Sequence, residues 1–153
     1  MGAAEFISLV QSGEHSEENW RKAWYEVREH TAMGAHGVDF VTVDDEKLVL
    51  RMEIGDHARQ PFGLLHGGIS LLLSESAASM HSCWNLDITK KVPVGIEING
   101  SHMRSATEGN VLVTAYLLRR SSTLVHHRVQ VVEEATKRVL SEVRVTNLLR
   151  DLG

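Results

Sequence analysis

Cysteine occurs once in this 153-residue sequence, at Cys83. An internal disulfide is therefore excluded, and a reducing compartment is the expectation. Basic runs are missing too: the formal net charge is −4 and no stripe of Lys/Arg occurs. Phosphate neutralisation needs clustered positive charge, so nucleic acid is not an expected partner. The longest largely apolar stretch, Ile69 to Leu73, is far too short to cross a bilayer. Nine histidines are present, but neither an HExxH pattern nor a Cys/His framework accompanies them, so no metal and no cofactor is expected. His126 and His127 are adjacent on a strand pattern and point to opposite faces. At the start, Met1 to Phe6 has Gly2 but Phe6 where an acylation motif takes Ser or Thr, and no export signal is visible. The end, Asp151-Leu152-Gly153, is no peroxisomal address. A cytoplasmic protein is the expectation.

The composition that remains, 42% hydrophobic and 24% charged, is that of a folding chain with one real core. Prolines are few, Pro61 and Pro93, and each lies beside a candidate element boundary. Ser16 reads as an N-cap, and Trp20, Ala23, Trp24 and Val27 follow at helical spacing, predicting an amphipathic helix from about Glu17 to His30. Such a helix either forms a lid over a pocket or packs on the domain or a partner chain. Val38–Val43 and Lys47–Ile54 flank an Asp44-Asp45-Glu46 turn, a hairpin pattern. Gly68 to Ser82 reads as a helix apolar on most sides, hence one enclosed by other structure. Four alternating runs follow, centred on Val94–Ile98, Val111–Leu117, Val125–Val131 and Val139–Val145, with short loops between. One helix wrapped by a long antiparallel sheet is an α+β architecture.

The stretch QPFGLLHGGISLLLSES, Gln60 to Ser76, carries the chemistry. Pro61 holds Gln60 extended, and Gly67-Gly68 opens the helix. A helix start presents unpaired N–H groups and the positive end of the dipole, which can polarise a carbonyl oxygen; a plain Gly-Gly turn is the alternative. Glu75 sits among leucines and alanines, where burial raises a carboxyl pKa unless a partner compensates. That environment suits a nucleophile or general base, or a structural glutamate paired with an arginine. Ser79 lies one turn on and is expected to reach Glu75. Gly67 and Glu75 are roughly 12 Å apart along one helix, yet a reacting carbonyl must lie about 3 Å from both groups. If both act, the helix start of one chain faces Glu75 of another, and the site occurs twice per dimer. Farther on, His102 and Arg104 share parity with Ile96 and Ile98 and are expected on the inward face. Arg119 to Leu124, RRSSTL, is a turn suited to a phosphorylated ligand or simply to solvent.

Gln60 to Gly68, Glu75, Ser79 and the run VGIEINGSHMRSATEG together resemble the hotdog-fold thioesterases, in particular those acting on 4-hydroxybenzoyl-CoA (Arthrobacter type) and 1,4-dihydroxy-2-naphthoyl-CoA. The resemblance covers about residues 33–149, and the reading divides the chain into an N-terminal helical extension, 1–32, and a hotdog thioesterase domain, 33–153. It implies an acyl-CoA substrate, dimers with shared sites pairing into a homotetramer, and no cofactor. It also implies that Glu75 attacks the thioester or activates water and that the Gly67 amide polarises the carbonyl, with His66 and Gln60 beside it. Ser79 then assists the glutamate or the water, and His102 lines the acyl pocket. Arg104, Ser122 and Thr123 are placed near coenzyme A. Ser121 and Arg120 depart from the family pattern. A hotdog dehydratase or hydratase, and below it a non-catalytic acyl-CoA-binding module, are the alternatives.

Overall fold

Ser16 begins the first helix: its hydroxyl accepts the Asn19 N–H at 3.2 Å, a cap that stabilises by about 1 kcal/mol. This helix, α1 (Glu17–Val27), tightens into a 3₁₀ turn over Arg28–His30, so the predicted helix ends in a narrower last turn. The architecture comes from a computed structural model that describes residues 16–153. The Met1–Phe6 start, read above for acylation and export signals, lies outside them.

A one-turn helix α2 (Ala32–Ala35) leads into the hairpin β1 (Asp39–Val43) and β2 (Lys47–Glu53). Asp44 closes that hairpin by accepting the Glu46 and Lys47 N–H groups at 2.8 and 2.9 Å. The long helix α3 (Gly67–Cys83) follows, then β3 (Lys91–His102), β4 (Asn110–Arg120), β5 (Leu124–Glu133) and β6 (Val139–Asp151). The six strands form one antiparallel sheet in the order β1-β2-β4-β5-β6-β3.

The sheet curls around α3. The helix face it covers carries Ser70, Ser74, Ala77, Ala78 and Ser82, small residues that let the strands approach. The Ser74 and Ser82 hydroxyls are satisfied within the helix, donating to the Ser70 and Ala78 carbonyls. Enclosure is one-sided: Leu71, Leu72, Glu75 and Ser76 remain half-buried.

The open question about α1 is decided by its stripe. Trp20, Ala23 and Trp24 join the same core as α3 and the sheet, and Trp24 Nε1 donates to the Val38 carbonyl at 3.3 Å. The helix is packed on the domain. Arg21 of α1 and Arg28 of the turn after it also lie along the free edge of β1: Arg21 donates to the Phe40 and Val41 carbonyls at 3.0 and 2.6 Å, and Arg28 to the carbonyl of Val38, just before the strand, at 3.1 Å. An unpaired row of carbonyls on an edge strand is thus covered.

The other edge, β3, is bare among the described residues, and here the parity expectation needs correction. The β3–β6 register shifts between Gly95 and Glu97, a bulge. A bulge inserts a residue and reverses which side chains face inward. Val94 and Ile96 are consequently exposed, Ile96 at 55%. Ile98 and His102 pair with the inward Val145 and Ser141, so His102 does follow the inner face. Arg104 does not: the strand ends at His102, and Arg104 is exposed in the segment beyond it.

Candidate active site

His66 caps α3. Its Nδ1 accepts the Gly68 N–H at 2.9 Å, and its carbonyl accepts from Ile69 and Ser70 at 3.0 and 3.2 Å. The Gly67 N–H is left without a partner among the described residues. One donor, backed by the helix dipole, is therefore free at this terminus. The loop before it is pinned by the Leu65 and His66 N–H groups, donating to the Ala106 and Ala58 carbonyls at 2.8 Å each. Gln60 begins a tight turn, its carbonyl accepting from Gly63 at 2.9 Å. The Gln60 Oε1 accepts the Phe62 N–H, which leaves the carboxamide NH₂ to act as a donor.

A cavity of about 390 Å³ opens beside these groups, lined by Gln60, Gly67, His102, Arg104 and Ser141 among others. The His102 Nδ1 lies 2.8 Å from the Ser141 hydroxyl. Its other face lies against the helix start: a Cβ on Gly67 would come within 2.6 Å of His102 Nε2. Glycine at this position lets the imidazole and the free N–H share one wall. Arg104 donates to the Val139 carbonyl at 2.9 Å at the cavity rim.

Glu75 lies elsewhere. It is half-buried rather than enclosed, because it lies with Leu71, Leu72 and Ser79 on the side of the helix that the sheet leaves partly open. It forms no hydrogen bond or ion pair among the described residues, so the arginine-paired alternative finds no arginine. Its carboxylate rests on β3 over Gly95, whose missing side chain leaves the room. Ser79 does not reach Glu75. It donates instead to Asn147 Oδ1 at 2.9 Å. Asn147, fully buried on β6, was not singled out in the sequence, although it is the polar residue of an inward series Val143, Val145, Asn147, Leu149.

The turn between β4 and β5 holds Ser122 and Thr123. The Ser122 carbonyl accepts from Lys91 Nζ at 2.9 Å, and the Thr123 carbonyl from the Leu149 N–H at 2.8 Å. Lys91 and His102 are opposite ends of β3, roughly 36 Å apart along an extended strand. Arg104 and the Ser122–Thr123 turn therefore cannot grip the same end of a ligand within one chain. The two departures from the family pattern have local reasons. Ser121 Oγ organises the turn by accepting the Thr123 and Leu124 N–H groups at 3.3 and 3.0 Å. Arg120 closes the far end of α3, donating to the Ser82 and His81 carbonyls at 3.0 and 3.2 Å. Beside it, burial pushes the Cys83 thiol up to about 12, which makes it inert as a nucleophile.

The predicted residues thus fall into two groups. Gln60, His66, Gly67, His102 and Arg104 gather at the start of α3. Glu75 and Ser79 stand against β3 and β6 about two helical turns away. One chain does not join them.

Residues 62–140 match the family model of the thioesterase superfamily. A 1,4-dihydroxy-2-naphthoyl-CoA hydrolase of Listeria monocytogenes is 32% identical over 101 residues, 66% of this chain and 81% of that protein. Two other curated relatives are matched over about three fifths of their length, 61% and 60%. A Pseudomonas aeruginosa thioesterase, solved with a glutamine-to-alanine change, superposes with a TM-score of 0.82 at 27% identity, covering 86% of this chain and 94% of that one. A thioesterase enzyme of Staphylococcus aureus, solved once with a glutamine and once with a glutamate replaced by alanine, superposes with TM-scores of 0.75 and 0.77 at 29% and 30% identity. Those two superpositions cover 77% and 80% of this chain, and 97% and 100% of that one.

Proposed function

From the premise that this chain belongs to the thioesterase superfamily, with the hotdog arrangement of one helix wrapped by an antiparallel sheet, we propose that it hydrolyses an acyl-CoA thioester to the free acid and coenzyme A. The observation that carries the reading is the free Gly67 N–H at the start of α3, opening on the cavity beside His102 and Gln60. A thioester carbonyl accepting that N–H gains most when negative charge develops on its oxygen, so the interaction favours the tetrahedral state. The Gln60 NH₂ and the His66-capped turn position the same oxygen. Glu75 of a second chain delivers the attack, directly or through water. The C–S bond then breaks and the thiolate leaves without needing a strong acid.

The two-chain site is supported by the separation of the two groups and by the bare edge of β3, which carries exposed Val94 and Ile96 on either side of Gly95, the residue under the Glu75 carboxylate. Arg104 from one chain and Ser122 and Thr123 from the other would hold the coenzyme A moiety, and the dimers pair into a tetramer. The altered glutamine and glutamate of the Staphylococcus aureus relative are fifteen positions apart, the separation of Gln60 and Glu75, which fits a paired role for these residues. The acyl group is aromatic, of the dihydroxynaphthoyl or benzoyl class, in keeping with the name of the Listeria relative. A panel of aryl-, β-keto- and fatty acyl-CoA esters in a thiol-detecting assay tests the reading. Thiol release with an aryl ester supports it; an enoyl absorbance change with no thiol, or binding without turnover, overturns it.

A further inference from the structure

The residue that deepens this reading is Asn147. Resting on the thioesterase assignment, we infer that Asn147 is a positioning residue that turns Ser79 into an acceptor for the hydrolytic water.

Three observations converge. Asn147 is fully buried, and its Oδ1 takes the Ser79 hydroxyl proton at 2.9 Å. Its position in the sheet is opposite Gly95, the residue over which the Glu75 carboxylate rests, and directly paired residues carry their side chains on the same face. Finally, its Nδ2 has no hydrogen-bond partner among the described residues. A buried amide donor left open is costly, and nearly all such groups in native structures are satisfied. Across the β3–β6 pair, over Gly95, stands the Glu75 carboxylate, which likewise has no partner among the described residues.

The chemistry follows from counting protons. A serine hydroxyl has one proton and two lone pairs. With the proton committed to Asn147, Ser79 cannot donate to Glu75 and can only accept. A water placed between Glu75 and Ser79 then gives one proton to each as acceptors, which aims an oxygen lone pair away from both, towards the thioester carbon. As the water oxygen bonds to that carbon, its proton passes to the Glu75 carboxylate, the C–S bond breaks, and the proton leaves with the thiol. Glu75 acts as general base, and the Asn147 Nδ2 is free to donate to its carboxylate or to the same water.

The test is a double-mutant cycle. Asn147→Leu is expected to lower kcat about tenfold with KM unchanged, as one lost hydrogen bond would. In a Ser79→Ala background the same change is expected to cost less than about twofold, because the proton it directs is gone. Equal costs in both backgrounds, or no cost in either, overturn the inference. Asn147→Asp keeps the acceptor and serves if the leucine variant does not fold. It adds a carboxylate next to Glu75, so the acid limb of the kcat/KM profile moves to higher pH. An unmoved limb also overturns the inference. A wild-type protein that releases no thiol from any ester overturns the thioesterase reading itself, which separates the two failures.

Discussion

Gly95 lies directly beneath Glu75: a methyl group on Gly95 would overlap Oε1 and come 3.2 Å from Cδ of the carboxylate. No other residue type leaves Glu75 where it is. Gly95→Ala is therefore expected to lower kcat at least tenfold by displacing the carboxylate, while thermal stability changes by only a few degrees. Turnover and a melting curve on the same preparation check both halves.

On the proposed role of Glu75 in the attack, Glu75→Ala is expected to reduce turnover by several orders of magnitude with folding intact. Gln60→Ala is expected to be impaired in the other half of the site. Mixed after dissociation, the two inactive chains regain partial activity if one pocket in the heterodimer is whole. Absence of recovery after verified chain exchange contradicts the shared site.

A Cβ on Gly67 would press on His102 Nε2 at 2.6 Å. Gly67→Ala is expected to raise KM and lower kcat together by pushing the imidazole across the carbonyl site. Combining it with His102→Ala relieves the clash, so the double variant is expected to be more active than Gly67→Ala alone. Steady-state kinetics on the three variants decide it.

Acid is expected to destabilise the fold through a buried histidine pair. His81 Nε2 donates to the Asp44 carbonyl at 2.9 Å, which makes its Nδ1 the acceptor for the His127 Nε2–H at 2.8 Å. Both rings are thus neutral. Burial, then the neighbouring His81 and Arg120, lowers His127 from the ordinary value of 6.5 to about 3, and burial lowers His81 as well. Below about pH 6.5 the unfolded chain protonates both histidines, whereas folded His127 stays neutral until about pH 3 and folded His81 stays neutral to below its ordinary value. The stability these groups supply is complete above pH 6.5 and falls as pH drops through that window. The slope is at most about 1.4 kcal/mol per pH unit for each group. His127→Gln keeps a donor without the titration, so its urea midpoint is expected to vary less between pH 7 and 4.

Arg120→Met is expected to cost about 1–3 kcal/mol of stability by freeing the His81 and Ser82 carbonyls at the end of α3. Because the guanidinium is spent on the helix, KM for the CoA ester is expected to stay within about twofold.

Much of the architecture was legible because periodicity follows burial. The spacing of Ile69, Leu73, Ala77 and Met80 placed α3 within one residue at each end, and the turn Asp44-Asp45-Glu46 placed the hairpin. The site was less legible, because sequence context does not report which side of a helix another layer covers. Leu71 and Leu72 share the Glu75 face, but that face is only half-buried, so apolar neighbours did not mean enclosure. Alternation at Val94 and Ile96 was misread because a bulge resets the parity of β3 before Ile98, and Gly95 was the available warning. Asn147 was signalled by a polar residue in an inward valine series, but its contact with Ser79 spans 68 positions, which no local pattern encodes.

The arginines of α1 and its following turn also bear on how far the sheet can extend between copies. A sheet with two open edges can add copies at both and grow without limit, whereas this sheet has one edge occupied by Arg21 and Arg28. Joining two copies through β3, as proposed, would consume the last free edge of each, so edge-to-edge growth of the sheet would stop at two and any further pairing would use other faces. Shortening the chain past α1 would reopen β1 and turn a self-limiting pair into a ribbon-forming one, visible as light scattering that rises with concentration.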